Sequence, residues 1–419
     1  RGRGAGITGP LGGETGAGAG SGALCRTRHN LNLRVASQSV ADQQWGAVMP
    51  KVLDMAIGCE ALATVRQLGA HWFSGGAEVA PLRTAGFSGA PVFLIRPADA
   101  PPHVLKGFSV GTTRPRAEWV HAIANGLRRA GAQAIPAIRE HAPGDTLVTT
   151  GDGRLWEMVA YVDGSPVDDP SPSQIASAMR TLAGLHTAAT TLPQGPPERA
   201  PSRAVTERIA RAHGLCEQSW RERLDSATTC SRWHSILMPR LATACDAFDA
   251  GSGAASLTAL AACSPRPLPC QVVLRDVWSE HVLFDHRDHG NPDTVAGIID
   301  LHAAGIDTPA TDIARLLGSW MPSDARLGPS WWASAIASYE AVRPLDDMER
   351  RLVPLLAASG IVFGLDNWFR WTLIEDRVFT DESHVVSRVD RLVKSLPTAL
   401  KVMIDTMPNA GLTPQNSSP

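Results

Sequence analysis

Residues 163–173, "DGSPVDDPSPS", divide a chain of 419 residues into two stretches of different periodicity, and that division constrains the fold more than any single motif. Before it, apolar residues come in short runs bounded by Gly or Pro. "EVAPLRTAGFSGAPVFLIRPA" (78–98) predicts strand, Gly turn, strand, and "PHVLKGFSV" (102–110) predicts a third strand. "RAEWVHAIANGLRRAG" (116–131) carries Trp119, Val120, Ile123 and Leu127 at helical spacing, and "DTLVTTGDGRLWEMVAYV" (145–162) sets a Gly-Asp-Gly turn between two apolar runs. The order is βββαββ. Beyond the linker, helical patterns cover 173–190, 203–224, 231–250, 309–320, 329–342, 347–375 and 382–396, with β-type runs only within 270–300. The expectation is an α+β chain of two lobes, β-rich over 55–162 and mostly helical over 163–400, with a cleft at the linker. Residues 1–54 are Gly-rich, begin without Met and are expected to be a disordered or non-native extension; 401–419 is expected to be a flexible tail.

Composition narrows the function. The formal net charge is -2, no Lys/Arg block stands out and there are only two tyrosines, so the clustered basic and stacking residues of a nucleic-acid surface are missing. No uninterrupted apolar stretch approaches the ~20 residues that span a bilayer, so neither nucleic acid nor membrane is expected as a partner. The seven cysteines (Cys25, Cys59, Cys216, Cys230, Cys245, Cys263, Cys270) are odd in number and lack CxxC spacing, which argues against a disulfide framework or thiolate zinc site and for a cytoplasmic setting. Lysines are few: Lys51, Lys106, Lys394 and Lys401. Lys106, between apolar residues of a strand, therefore stands out.

"LRDVWSEHVLF" (274–284) carries the chemistry. An apolar run enters it and another leaves it, which predicts Asp276 through His281 on an exposed turn, and Asp300 ends the next apolar run, "VAGIID". Two carboxylates and an imidazole at one end of a small sheet are what phosphoryl transfer from ATP requires: Asp276 to orient a hydroxyl, His281 and Asp300 to hold a metal against the phosphates. Lys106 supplies a cation for those phosphates, and the turn "AGFSGA" (85–90), with Gly86, Ser88 and Gly89, lets backbone N–H groups approach them.

With these features in this order, the chain resembles the aminoglycoside phosphotransferase and choline-kinase-like family, whose members share a protein-kinase-like fold and phosphorylate small-molecule hydroxyls. The family's His-Gly-Asp-x-x-x-x-Asn loop and following Ile-Asp strand correspond to "LRDVWSEH" and "GIIDLHAAGIDTPATDIARL". The resemblance implies that Asp276 is the catalytic carboxylate, Asp300 the main Mg²⁺ ligand, and Lys106 the lysine on the phosphates. It implies Glu118 as the carboxylate pairing with that lysine, backbone groups around Glu157 to Val159 as the adenine contacts, and Asp312 as the support behind the loop. Leu274 and Arg275 replace the family's His and Gly, and His281 replaces its Asn. An imidazole suits Mn²⁺ better than it suits Mg²⁺. The cofactors implied are ATP or GTP with Mg²⁺ or Mn²⁺, and the partner a small-molecule hydroxyl acceptor.

Two other functions compete. Loss of the family's His and Asn suits a pseudokinase that binds nucleotide without chemistry. The cluster Asp285, His286, Asp288 and His289 suits a metallohydrolase, although polar runs between strands are usually solvated turns.

Overall fold

The computed structural model describes residues 59–82, 90–193, 198–225, 231–262, 267–286, 291–320, 329–379 and 381–406, all within one compact unit. Helix α1 (Cys59–Gly69) leads into β1 (Ala77–Pro81), β2 (Val92–Pro97) and β3 (His103–Gly107); α2 (Arg114–Arg129) follows, then β4 (Leu147–Thr149) and β5 (Leu155–Ala160). The strands form one antiparallel sheet in the order β1-β2-β3-β5-β4. Gly153, at φ 80°, turns the β4–β5 hairpin in the left-handed conformation that costs glycine nothing. Register sets Lys106 of β3 directly opposite Glu157 of β5, so both side chains emerge on the same face.

The linker is a fitted strap. Ser165 and Phe284 exchange backbone hydrogen bonds of 3.0 and 2.8 Å, and a Cβ at Gly164 would lie 2.9 Å from the Phe284 carbonyl, so only glycine allows this approach. The Trp320 indole N–H donates to the Val167 carbonyl at 2.9 Å. The end of the linker starts a helix: Ser171 caps α3 (Pro172–Ala189) in a capping box with Gln174, and Pro172 fits the first turn, where no N–H is needed.

Next come β6 (Glu198–Ala200), α4 (Arg203–Glu217), α5 (Trp220–Asp225), α6 (His234–Ala250) and α7 (Gly253–Ala262). The sequence pattern joined α4 and α5 into one helix and missed α7, whose Ala-rich "GAASLTALAA" is apolar all round and so lacks a polar face to mark its period. Then β7 (Leu268–Val273), a 3₁₀ turn at Ser279–His281, β8 (Val282–Phe284), β9 (Val295–Ile298) and β10 (Gly305–Asp307) make two small sheets, β10-β7-β6 and β8-β9. Helices α8 (Ala310–Ser319), α9 (Pro329–Glu340), α10 (Asp347–Phe369, continued by a π-helical turn to Ile374) and α11 (Glu382–Asp405) complete the described fold. Helix α11 extends through Asp405, so the tail expected from 401 is helical for its first residues; Leu396, Ala399, Leu400 and Met403 are buried along it.

The main core gathers around α10, whose Leu352, Val353, Leu356, Val362 and Leu365 are almost wholly buried. Among the described residues, Asp347–Ile374 is the one helix long and apolar enough to cross a membrane; 72% of its most apolar window is buried inside the fold, as in a core helix.

Candidate active site

The loop between β7 and β8 is held from behind. Asp312 of α8, fully buried, accepts hydrogen bonds from Leu274 N–H at 2.6 Å and Arg275 N–H at 2.7 Å, and is 3.0 Å from His186 Nε2. His186 Nδ1 in turn lies 2.8 Å from the Tyr339 hydroxyl. Burial lowers the His186 pKa despite Asp312, so the imidazole is neutral; with Nε2–H facing the carboxylate, Nδ1 accepts from tyrosine. These anchors hold Arg275 at φ 65°, a left-handed conformation that a non-glycine residue adopts only when its surroundings impose it.

The loop itself departs from the exposed turn expected. Asp276 is partly open, its side chain 44% exposed, but Val277, Trp278 and Ser279 are buried. The two apolar side chains tuck under the loop, and Ser279 N–H is taken by the Ser319 hydroxyl at 2.8 Å. The Asp276 carboxylate accepts from Arg315 of α8 through Nε at 3.2 Å and Nη2 at 2.8 Å.

Four of the residues singled out from the sequence meet here. Lys106 Nζ lies 2.7 Å from Asp300 Oδ1, and the second oxygen of Asp300 is 3.9 Å from His281 Nε2. His281 Nδ1 donates to the Asp276 carbonyl at 2.7 Å, while its Nε2 accepts from the Trp278 indole N–H at 3.2 Å. Burial lowers the His281 pKa against the pull of Asp300 and Asp276, which keeps the ring neutral. Asp300 also sits at positive φ, 63°; burial would raise its carboxyl, but Lys106 above all, and then His302, hold it low. Gly86, Ser88 and Gly89 lie outside the described residues.

Glu118 does not pair with Lys106. It lies on the outer side of α2, half exposed and 3.3 Å from Arg114, whereas the buried stripe of that helix is Ala117, Val120, His121 and Ala124. The inward-facing polar residue is therefore His121. Its Nε2 is 2.7 Å from Glu157 Oε2 and its Nδ1 is 2.6 Å from the Thr146 hydroxyl. The other Glu157 oxygen meets His302 Nε2 at 2.6 Å, and His302 stacks on Phe108 with ring centres 3.9 Å apart. Arg116, also on α2, donates to the carbonyls of His302 and Ala304. Burial alone would raise the Glu157 pKa, but the charge of His302 and the hydrogen bonds from both histidines hold it far below the usual carboxylate range.

Nor do Glu157 and Val159 present a free backbone to adenine. They are register partners of Lys106 and Val104, and the other edge of β5 is occupied by β4 and by residues 137–139. An interior strand has its N–H and C=O groups committed to both neighbours. The chain leaves this sheet only beyond Tyr161, whose N–H reaches the Pro102 carbonyl.

The second cluster does not form a ligand set. Asp285 is buried, with its N–H on the Thr294 carbonyl, while His286 is half exposed against Asp163 at 3.6 Å; Asp288 and His289 lie outside the described residues. Among the described residues, no group of three or more His, Cys, Asp or Glu could hold a metal by itself. Asp300 with His281 still suits Mg²⁺ or Mn²⁺ beside a nucleotide, because such ions take only one or two protein donors and complete their shell with phosphate oxygens and water.

His121, His302, Arg116, Arg315, His186 and Tyr339 were not singled out from the sequence. Only His121 left a signal there, since it shares the apolar stripe of its helix.

The sequence model of the phosphotransferase enzyme family matches residues 81–345. A homoserine kinase of Methylobacterium sp. (strain 4-46) is 28% identical over 221 residues, which cover 52% of this chain and 59% of that one, so the chain spans less than two thirds of this relative. A homoserine kinase of Gluconacetobacter diazotrophicus is 32% identical over 237 residues, covering 53% and 68%. A microcompartment-associated aminopropanol kinase superposes with a TM-score of 0.54 over 82% of this chain and 98% of that one; at 15% identity this is a likeness of fold alone. The fold is protein-kinase-like, and the metallohydrolase alternative gives way to the family match. With more than half of its length matched, the chain belongs to the phosphotransferase enzyme family.

Proposed function

We propose that the protein transfers the γ-phosphoryl group of ATP to a hydroxyl of a small molecule. The observation that carries this reading is the meeting of Lys106 with Asp300 at 2.7 Å, with His281, bonded to the Asp276 carbonyl, 3.9 Å from the same carboxylate. Lys106 exchanges Asp300 for the nucleotide phosphates. Asp276 accepts the acceptor's proton as its oxygen bonds to the γ-phosphorus and the bond from that phosphorus to the β,γ-bridging oxygen breaks, releasing ADP. Arg315 holds the carboxylate in position for this step. Asp300 and His281 would hold a divalent cation, which supplies charge neutralisation at the phosphates. The Trp278 N–H on His281 Nε2 must yield for the imidazole to serve as a ligand. The adenine edge is assigned to the backbone after Tyr161, where the chain leaves the sheet, in place of Glu157 to Val159.

The family match and the homoserine kinase relatives support the reaction class. The test is Asp276→Asn. ADP release over an acceptor panel should fall at least ~100-fold, the scale of a lost general base, while ATP with Mg²⁺ still raises the melting temperature. Turnover within a few-fold of the parent would refute the role of Asp276. A parent that binds ATP but phosphorylates nothing would leave the pseudokinase.

A further inference from the structure

Arginines from two helices, α8 and α11, meet at Trp278 in the loop of Asp276. Arg315 of α8, hydrogen-bonded to Asp276, lies 5.1 Å from the centre of the Trp278 ring, and Arg388 of α11 lies 4.3 Å from the same ring. Arg208 of α4 lies within range of the Arg315 charge. All three are partly exposed. Burial, and then the charges of Arg315 and Arg211, bring Arg208 down to about 10. Burial, and then Arg391 and Arg315, bring Arg388 to about 10 as well. Arg208 and Arg388 remain cationic at neutral pH.

Arg315 is paired with Asp276, but the charge of Arg208 and Arg388 is not matched by acids in contact. Among the described residues, Arg208, Arg388 and Arg391 form no ion pair, and Arg391 Nε is buried without a hydrogen-bond partner. The nearest offset to Arg388 comes from Glu280 and Asp168; Glu280 is itself pushed toward its neutral form by burial and lies 3.7 Å from His384. Like charges collected without counter-ions destabilise a fold, and such an arrangement marks a place where a ligand supplies the missing charge.

We propose that the acceptor is a small hydroxy compound bearing a carboxylate, which Arg388 and Arg315 bind while its hydroxyl lies at Asp276. The proposal rests on the kinase reading above and deepens it. The guanidinium fork matches a carboxylate with two parallel hydrogen bonds, and the excess positive charge opposes a cationic acceptor such as an amino alcohol.

L-homoserine, 4-hydroxybutyrate and 3-aminopropan-1-ol separate the groups: the second lacks the amine of the first and the third lacks its carboxylate. With the full chain, ATP and Mg²⁺, ADP release should favour the two carboxylates over 3-aminopropan-1-ol by at least ~10-fold in kcat/KM, the scale of one hydrogen-bonded charge. Arg388→Gln should raise the KM for the carboxylates by ~10-fold or more, and Arg388→Lys, which keeps the charge without the fork, should restore part of that loss. Equal or better use of 3-aminopropan-1-ol, a preference for glycerol 3-phosphate over both carboxylates, or an unchanged KM in a folded Arg388→Gln would each overturn the proposal. Titration of the carboxylates into protein saturated with a non-hydrolysable ATP analogue separates the two readings. Absence of binding there, with nucleotide binding intact, overturns the acceptor assignment alone, whereas failure of the kinase reading shows as turnover that survives Asp276→Asn.

Discussion

Replacing Asp312 tests whether the loop is held from behind. Asp312→Ala removes the acceptor of the Leu274 and Arg275 N–H groups, at 2.6 and 2.7 Å, and the partner of His186. Leu274 is 2% exposed, so water cannot replace the lost partner there. A buried donor left unsatisfied costs ~1–3 kcal/mol. Arg275 N–H, the second donor, is orphaned in the same way at a similar cost. Together the two donors give a destabilisation of about 2–6 kcal/mol, read by urea unfolding followed through tryptophan fluorescence. Asp312→Asn keeps one carbonyl oxygen and orphans one N–H, so its loss should be about half as large. In both variants kcat should fall more than the KM for ATP rises, because Lys106 and the sheet are untouched. A stability change under ~1 kcal/mol for the alanine variant would refute the buttress, as would an unchanged kcat.

Glu157 gives the pH test. Its carboxyl is held below its ordinary 4.5 in the folded chain; it therefore stabilises the fold in full above that value, and the contribution is lost as pH falls through the folded-state value. The melting-temperature gap between the parent and Glu157→Gln should be constant above pH 4.5 and shrink below it; a gap independent of pH would mean that the carboxylate is not charged between His121 and His302. The metal site is tested through His281→Asn, which should lower Mn²⁺-supported turnover relative to Mg²⁺-supported turnover, since imidazole favours the softer ion. An unchanged ratio would place His281 outside the metal shell.

The candidate site was legible in part, for reasons that differ by residue. Asp276, Asp300 and Lys106 could be read because each ends or punctuates a strand, and that position is marked by the neighbouring residues themselves. Glu118 was misplaced because a match of motif order says nothing about which side of a helix faces inward; the apolar stripe does, and it points to His121. Glu157 looked like a strand residue offering its backbone, yet its importance lies in a side chain bonded to His302, 145 residues away.

What the chain's own pattern determined is the order of elements before the linker, the break at 163–173 and the chemistry of its loop, because periodicity, turns and caps depend on residues close together in the chain. Tertiary structure alone decided which carboxylate meets Lys106, that His186 and Asp312, 126 residues apart, are bonded to each other, and that Arg315 and Arg388 face one loop. Those pairings are set by how helices and sheets pack over the whole core, and one residue's burial and charge follow from neighbours that local sequence does not specify.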